Sequence, residues 1–295
     1  MLRLLSIGEC MIELAPEADG RFRRGFAGDT FNTAWYARRL AGPEIEVAYL
    51  TAVGDDDPSR QMTTFIEQAG ITPRVTVRDG GSVGLYMISL QEGERSFSYW
   101  RNMSAARTLA DDLTELPGLE PGDVAYFSGI TLAILPEPGR QRFLDVLAKA
   151  RAKGITIAFD PNLRPRLWAD VEDMTTWIMK GAAVSDLALP SFEDEATFFG
   201  DADTAGTAAR YADAGVGTVI VKDGEGPVLI RTTDGDKTVT PEPAAKVIDT
   251  TAAGDSFNAG FLTAYLQGAN LEDAVRQGCA VARRVIAERG ALVEI

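Results

Sequence analysis

Short runs of apolar residues recur along the chain, and longer amphipathic stretches separate them. The apolar runs are 2–7, 47–53, 123–128, 155–159, 186–189 and 218–221. Runs of this length are typical of parallel strands that are buried on both faces. The stretches with helical spacing are 30–41, 57–69, 139–151, 204–214, 254–267 and 271–287. This alternation predicts an α/β fold with a doubly wound, mostly parallel sheet flanked by helices.

Residues 74–101 depart from this alternation, because they have no helical period. Apolar and polar residues alternate at 82–90 and again at 95–100, and Gln91-Glu92-Gly93-Glu94 joins the two segments as a turn. The pattern predicts an antiparallel hairpin outside the main sheet, paired with residues 13–27.

A small β excursion from an α/β core often serves as a lid. We therefore expect one domain, 1–295, in which residues 10–27 and 73–103 form a small antiparallel β lid. A second hairpin is predicted around Asp234-Gly235-Asp236.

Charge and composition exclude several classes of function. The 29 Lys and Arg residues against 43 Asp and Glu residues give a net charge of −14, which disfavours nucleic-acid and membrane partners. The chain has no His, so proton transfer must use a carboxylate, Lys, Tyr or thiol. Two cysteines, Cys10 and Cys279, are too few for a disulfide framework. Together with a first apolar run too short for a signal peptide, they predict a cytoplasmic protein.

Residues 249–261, Asp-Thr-Thr-Ala-Ala-Gly-Asp-Ser-Phe-Asn-Ala-Gly-Phe, carry the clearest chemical signal. Small residues before a predicted helix let an anion approach its free amide groups and the positive end of its dipole. Asp255 lies in this anion site, where it could accept a proton from an attacking hydroxyl. The alternative is that Asp255 only caps the helix.

No dinucleotide-binding glycine motif is present, which disfavours a dehydrogenase.

This segment resembles the C-terminal signature of the ribokinase-like carbohydrate kinases, Asp-Thr-x-Gly-Ala-Gly-Asp. The further segments that match this family in order and spacing are Gly8-Glu9, 27–32, Asp160-Pro161-Asn162-Leu163-Arg164 and 221–226. Within the family, the 2-keto-3-deoxygluconate kinases are the most similar. They share Gly8-Glu9-Cys10-Met11, Arg101-Asn102-x-Ser104-Ala105-Ala106 and Leu163-Arg164-x-x-Leu167-Trp168. The resemblance covers nearly the whole chain and implies a ribokinase-like fold and an ATP-dependent sugar kinase.

The resemblance also implies roles for individual residues. Asp255 would be the base that deprotonates the sugar hydroxyl. Backbone amides would form the anion hole at Ala252, Ala253 and Gly254. The residues implied to line the sugar pocket are Gly28, Asp29 and Asn32, and those implied to lie against ATP are Lys222, Gly224, Gly226 and Gly254.

The resemblance further implies that Mg²⁺ arrives with ATP, held by phosphates and largely by water. The family's Asn-x-x-Glu falls at Ser191-Phe192-Glu193-Asp194. Ser191 would then lie at the nucleotide, and Asp194 would be the acid linked to the metal. A monovalent cation near Asp249 is left open. Ala27 and Ala252 stand where the family has Gly, so a contact that needs positive φ would be strained there.

Recognition of an acidic sugar by an acidic protein requires local cations, and the guanidinium fork fits a carboxylate. Arg101 and Arg164 are the candidates, because both follow predicted strands at an edge where ligands bind. Tyr86 and Tyr99 on the hairpin could offer hydroxyls to the substrate. The alternative for the arginines is that they are solvated surface residues in ion pairs. The alternative for the tyrosines is that they pack within the lid, or in a homo-oligomer formed through the lid.

The sequence therefore predicts phosphorylation of 2-keto-3-deoxygluconate at its 6-hydroxyl, the position being implied by the family. Two alternatives stay open. One is a kinase for a neutral sugar such as fructose or ribose, or for a nucleoside, on the same fold. The other is a sugar or nucleotide sensor without catalytic activity.

Overall fold

The computed structural model describes residues 1–17, 19–91 and 94–295, which form two β-sheets and flanking helices. The strands are β1 (Leu2–Ile7), β2 (Met11–Pro16), β3 (Phe22–Ala27), β4 (Ile45–Gly54), β5 (Thr72–Arg78), β6 (Gly84–Gln91), β7 (Glu94–Trp100), β8 (Val124–Ser128), β9 (Thr156–Asp160), β10 (Leu187–Ala188), β11 (Thr218–Val221), β12 (Val228–Thr232) and β13 (Gly235–Val239). The helices are α1 (Asp29–Leu40), α2 (Asp57–Gln68), α3 (Gly129–Ile134), α4 (Glu137–Ala152), α5 (Val171–Ala183), α6 (Phe192–Phe199), α7 (Thr204–Asp213), α8 (Ala253–Leu266) and α9 (Leu271–Val285).

The large sheet has the strand order β13-β12-β11-β10-β9-β8-β1-β4-β5. Its strands are parallel from β11 to β5, and β12 and β13 add an antiparallel edge. The chain runs from β1 outwards to β4 and β5, and then from β8 outwards in the other direction, so the strand order reverses between β1 and β8. Ligands of doubly wound sheets bind outside the carboxyl ends of the strands at this point. The predicted fold class is confirmed.

Both faces of the large sheet are buried, as the continuous apolar runs predicted. Tyr126 and Phe127 are neighbours on β8 and are both fully buried, because their side chains enter the cores on opposite faces. Helices α1, α2, α8 and α9 cover the core on the Tyr126 side, and α4, α5 and α7 cover the core on the Phe127 side.

The small sheet has the order β3-β2-β6-β7. Two antiparallel hairpins, β2-β3 and β6-β7, are joined by parallel pairing of β2 with β6, so the predicted pairing of these segments is confirmed. Of the predicted turn 91–94, Gln91 ends β6 and Glu94 begins β7, and residues 92 and 93 lie outside the described residues. The predicted lid segment 73–103 begins too early, because β5 pairs with β4 in the large sheet. β5 is an edge strand of the large sheet and is partly exposed. Its sequence therefore mixes apolar and polar residues, as a strand of the small sheet would.

Three helices were not predicted. The six residues of α3 are almost all buried, which removes the amphipathic period that marks a helix. The others are α5 and α6. The hairpin around Asp234 is confirmed as β12 and β13. Across the ranges that the structure describes, no helix is both long and apolar enough to cross a membrane.

Candidate active site

The first turns of α1 and α8 meet beside the carboxyl end of β1. Asn32 donates from Nδ2 to Asp255 Oδ2 at 2.8 Å, and Thr33 Oγ1 donates to the Asp255 carbonyl at 3.2 Å. The Gly28 amide donates to Asn32 Oδ1 at 3.3 Å, which orients the Asn32 amide with its donor towards Asp255. A Cβ at Gly28 would lie 2.1 Å from the Glu9 carbonyl oxygen, so this position requires glycine.

Asp255 is not the helix cap. It is the third residue of α8, and Ala252 occupies the cap position with φ 60° and ψ 17°, in the left-handed region. The Ala253 amide donates to the Thr250 carbonyl at 3.1 Å, so it is used within the turn. The amides of Gly254 and Asp255 have no intrahelical acceptor by helix geometry and face the start of the helix. The alternative that Asp255 only caps the helix is wrong.

Three carboxylates converge here. Burial and the negative charges of Asp29 and Asp160 raise the pKa of Asp255 well above the usual carboxyl range, against the opposing effects of Asn32 and Arg164. Burial also raises the pKa of Asp29, which accepts a hydrogen bond from Asn162 Nδ2 at 2.8 Å. A carboxylate with a raised pKa is a stronger base, which suits proton removal from a hydroxyl.

A buried polar network supports the start of α8. Lys222 Nζ lies 3.2 Å from Asn258 Oδ1 and 3.7 Å from Asp160 Oδ1. Asn258 Nδ2 donates to Asp160 Oδ2 at 2.7 Å and to the Tyr126 hydroxyl at 3.1 Å. A Cβ at Gly254 would lie 3.7 Å from Lys222 Nζ. The Lys222 ammonium therefore lies beneath the helix start.

The loop predicted to lie against ATP begins at Lys222. Gly224 has φ +53°, which favours glycine, and the Gly226 amide donates to the Asp223 carbonyl at 2.6 Å to close the turn. The Phe192 amide donates to the Lys222 carbonyl at 2.8 Å, so Ser191 and the first turn of α6 lie beside this loop. The predicted nucleotide-binding residues are thus brought together at one side of the α8 start.

The chain matches a family model described as pfkB family carbohydrate kinase over residues 1–294. The chain belongs to the pfkB family of carbohydrate kinases.

Among its relatives, two enzymes match this pfkB kinase over nearly its full length. The 2-dehydro-3-deoxygluconokinase of Haemophilus influenzae is 38% identical over 302 residues, which cover 100% of this chain and 96% of the relative. The 2-dehydro-3-deoxygluconokinase of Dickeya dadantii is 39% identical over 300 residues, which cover 98% and 96%. The crystal structure of a PfkB protein from Polaromonas sp. JS666 is similar with a TM-score of 0.84, 25% identity and coverage of 97% and 96%.

Two predicted sugar-binding residues of this pfkB kinase are paired with carboxylates. Arg101 is 7% exposed, and its Nη2 donates to Glu9 Oε2. The hydroxyl of Tyr86, also buried, donates to Glu13 Oε2. The alternative that Arg101 is a solvated surface arginine is therefore wrong.

Tyr99 lies beside Tyr86 and Arg101. It is 50% exposed, its ring centroid lies 5.9 Å from that of Tyr86, and Arg101 Cζ lies 5.8 Å from its ring centroid. Burial raises the pKa of Tyr99, while Arg101, Arg164 and Arg166 oppose this shift. Both predicted arginines therefore lie within electrostatic reach of one phenol. Arg164 is half-exposed and lies 3.5 Å from Asp194 Oδ2.

The surroundings of Asp194 test whether the residues present fit a metal ion. Burial raises the pKa of Asp194, with a further contribution from Asp160 and an opposing one from Arg164. Among the described residues, no three or more His, Cys, Asp or Glu side chains form a group that could hold a metal. Asp194 is partly exposed and offers a single carboxylate, which fits a metal that takes most of its ligands from phosphate and water.

Several residues of the site had no role in the sequence prediction. They are Glu9, Glu13, Thr33, Tyr126, Asp160, Asn162 and Asn258. Asn258 could have been found, because it is three residues after Asp255 on the same helix face. Asn162 has φ 36° in the Asp-Pro-Asn segment, a conformation that asparagine adopts more readily than most residues. Glu9 lies in the matching segment Gly8-Glu9-Cys10-Met11, but neither Glu9 nor Glu13 could be given a role, because their partners are distant in sequence.

Proposed function

We propose that this pfkB kinase phosphorylates 2-keto-3-deoxygluconate with ATP, giving 2-keto-3-deoxy-6-phosphogluconate. The observation that carries the proposal is the similarity, over the full length of the chain, to enzymes named 2-dehydro-3-deoxygluconokinase at 38–39% identity. Arg101 lies beside the Tyr99 ring, and Arg164 is near enough for its charge to act on the Tyr99 hydroxyl. Two guanidinium groups in this region support an acidic substrate, because guanidinium groups bind carboxylates.

In this proposal, Asp255 takes the proton from the attacking hydroxyl. The hydrogen bond from Asn32 holds one oxygen of Asp255, which leaves the other for the substrate. The amides at the start of α8 stabilise negative charge that develops on the transferred phosphoryl group. Catalysis of phosphoryl transfer depends mostly on positioning the reacting groups and stabilising negative charge. In this proposal, Asp255 and the amides at the start of α8 therefore supply most of the catalysis.

Gly28, Asp29 and Asn32 line the sugar end of the proposed site, and Tyr86, Tyr99, Arg101 and Arg164 the carboxylate end. The loop at Lys222, Gly224 and Gly226, together with Ser191, lies against ATP. Mg²⁺ bound with ATP would neutralise the phosphates, and Asp194 is the side chain we assign to its water shell.

We also infer that the small sheet, whose strands lie in segments 10–27 and 79–103, acts as a lid and forms a homo-oligomer contact. Its edge strand β7 exposes the large side chains of Phe97, Tyr99 and Trp100. Apolar aromatic residues of this kind are enriched at protein interfaces.

The proposal is tested by ADP release from Mg·ATP across a panel of acceptors. The panel is 2-keto-3-deoxygluconate, its galactonate epimer, gluconate, fructose, ribose and adenosine. We expect turnover with the keto-deoxy acids alone. Turnover with fructose or ribose instead would replace the acidic substrate by a neutral one, and binding without turnover would favour the sensor.

A further inference from the structure

The ion pair between Glu9 and Arg101 joins the two sheets. Glu9 follows β1 of the large sheet, and Arg101 follows β7 of the small sheet. Arg101 Nη2 donates to Glu9 Oε2, and the two side chains are 7% and 0% exposed. The pair therefore lies inside the connection between the main domain and the proposed lid.

The pair is incomplete. Glu9 Oε1 and Arg101 Nε are both buried, and neither has a hydrogen-bond partner among the residues that the structure describes. A guanidinium and a carboxylate can form two parallel hydrogen bonds, but these two atoms remain outside the contact. Buried polar atoms without partners destabilise a protein, so this arrangement is not the one that stability alone would favour.

The backbone around the pair leaves it little space. A Cβ at Gly84 would lie 2.8 Å from Glu9 Oε1 and 3.2 Å from Arg101 Cβ. Glycine at this position, the first residue of β6, admits both side chains. Glu9 therefore holds the Arg101 guanidinium, and the packing beside Gly84 confines Glu9 Oε1 and the base of the Arg101 side chain.

We propose that Glu9 is a positioning residue for substrate recognition, which holds Arg101 in the orientation that binds the carboxylate of the sugar acid. The inference rests on the proposed function. A free arginine side chain loses much conformational entropy when it binds, and a partner that fixes it beforehand reduces this loss. Glu9 also balances the charge of Arg101 while the site is empty, so that the arginine can be buried without substrate.

The test is a double-mutant cycle on KM for 2-keto-3-deoxygluconate. The variants are Glu9→Gln, Arg101→Met and the two combined. We expect Glu9→Gln to raise KM about tenfold with kcat within about twofold. If Glu9 acts through Arg101, adding Glu9→Gln to Arg101→Met changes KM no further.

Two further variants separate positioning from general stability. Gly84→Ala keeps both charges but displaces the Glu9 carboxylate, and we expect it to raise KM as well. Asp123→Asn is the matched control, because Asp123 is a buried carboxylate that pairs with Arg3 at 3.4 Å at the amino end of β8, opposite the site. We expect it to lower the urea midpoint while KM stays unchanged.

The proposal is overturned if folded Glu9→Gln leaves KM unchanged, or if the KM effects of Glu9→Gln and Arg101→Met multiply. If the Glu9→Gln single variant does not fold, Gly84→Ala decides, since it keeps both charges and displaces the Glu9 carboxylate: an unchanged KM in folded Gly84→Ala then overturns the proposal. Wild-type turnover of neutral sugars alone would overturn the proposed function as well. Turnover of the acid with an unchanged KM in Glu9→Gln would overturn only this inference.

Discussion

Asp255 is the residue on which the proposed chemistry depends most directly. Asp255→Asn keeps the size and the contact with Asn32 but cannot accept the proton. We expect kcat to fall about 10²- to 10⁴-fold, with KM for the sugar changed by less than about threefold. Steady-state ADP release measures both values. Asp273→Asn, at an exposed aspartate in the first turn of α9, is the control and should leave both unchanged. More than a tenth of wild-type turnover in Asp255→Asn would exclude its role as the base.

The pH dependence of activity reports the environment of Asp255. A base works when it is deprotonated, so the raised pKa of Asp255 predicts that kcat/KM increases with pH through a range above that of an ordinary carboxyl. Asp29→Asn removes a neighbouring negative charge, which lowers the pKa of Asp255. The acid limb of the kcat/KM profile should then move to lower pH, whatever the effect on its height. An acid limb that does not move would mean that Asp29 and Asp255 do not interact.

The cap residue that precedes helix α8 has unfavourable backbone geometry. Ala252 has φ 60°, a region in which alanine is strained and glycine is not. We expect Ala252→Gly to increase the free energy of unfolding by about 0.5–1 kcal/mol, measured by urea denaturation. Ala253→Gly, one residue on and within the helix, is the control and should destabilise by about 0.5–1 kcal/mol. A loss of stability in Ala252→Gly would mean that the strain is absent.

The elements differ in how far the sequence predicts them. Strands buried on both faces, such as β1 and β8, leave continuous apolar runs that need no tertiary information. The edge strand β5 and the buried helix α3 cannot be identified in this way, because their patterns of apolar and polar residues depend on which neighbouring elements cover them. The site follows the same rule. Asp255 was found from a contiguous segment, whereas Glu9 and Arg101 are 92 residues apart and only the fold brings them together.

At the scale of the whole molecule, a strongly acidic chain offers anionic ligands only a few cations, and its own carboxylates already neutralise them. Each cation that we assign to a ligand already has a carboxylate neighbour: Arg101 has Glu9, Arg164 has Asp194, and Lys222 has Asp160. Anionic ligands must therefore share these cations with the protein. This sharing makes the orientation of each cation, rather than the number of positive charges, the property that selects the substrate.

The exposed aromatic residues of β7 lead to a prediction for the assembly. Trp100 is 58% exposed on an edge strand, and burying it against a second copy of the small sheet would remove both its apolar surface and the open strand edge from water. We expect wild-type protein to exceed the 31.7 kDa of one chain by light scattering, and Trp100→Asp to shift the mass towards that value. Val171→Asp is the control, because Val171 is 44% exposed at the start of α5 in the main domain. A wild-type mass of one chain would rule out the homo-oligomer, and a Trp100→Asp mass equal to wild type would move the contact away from β7.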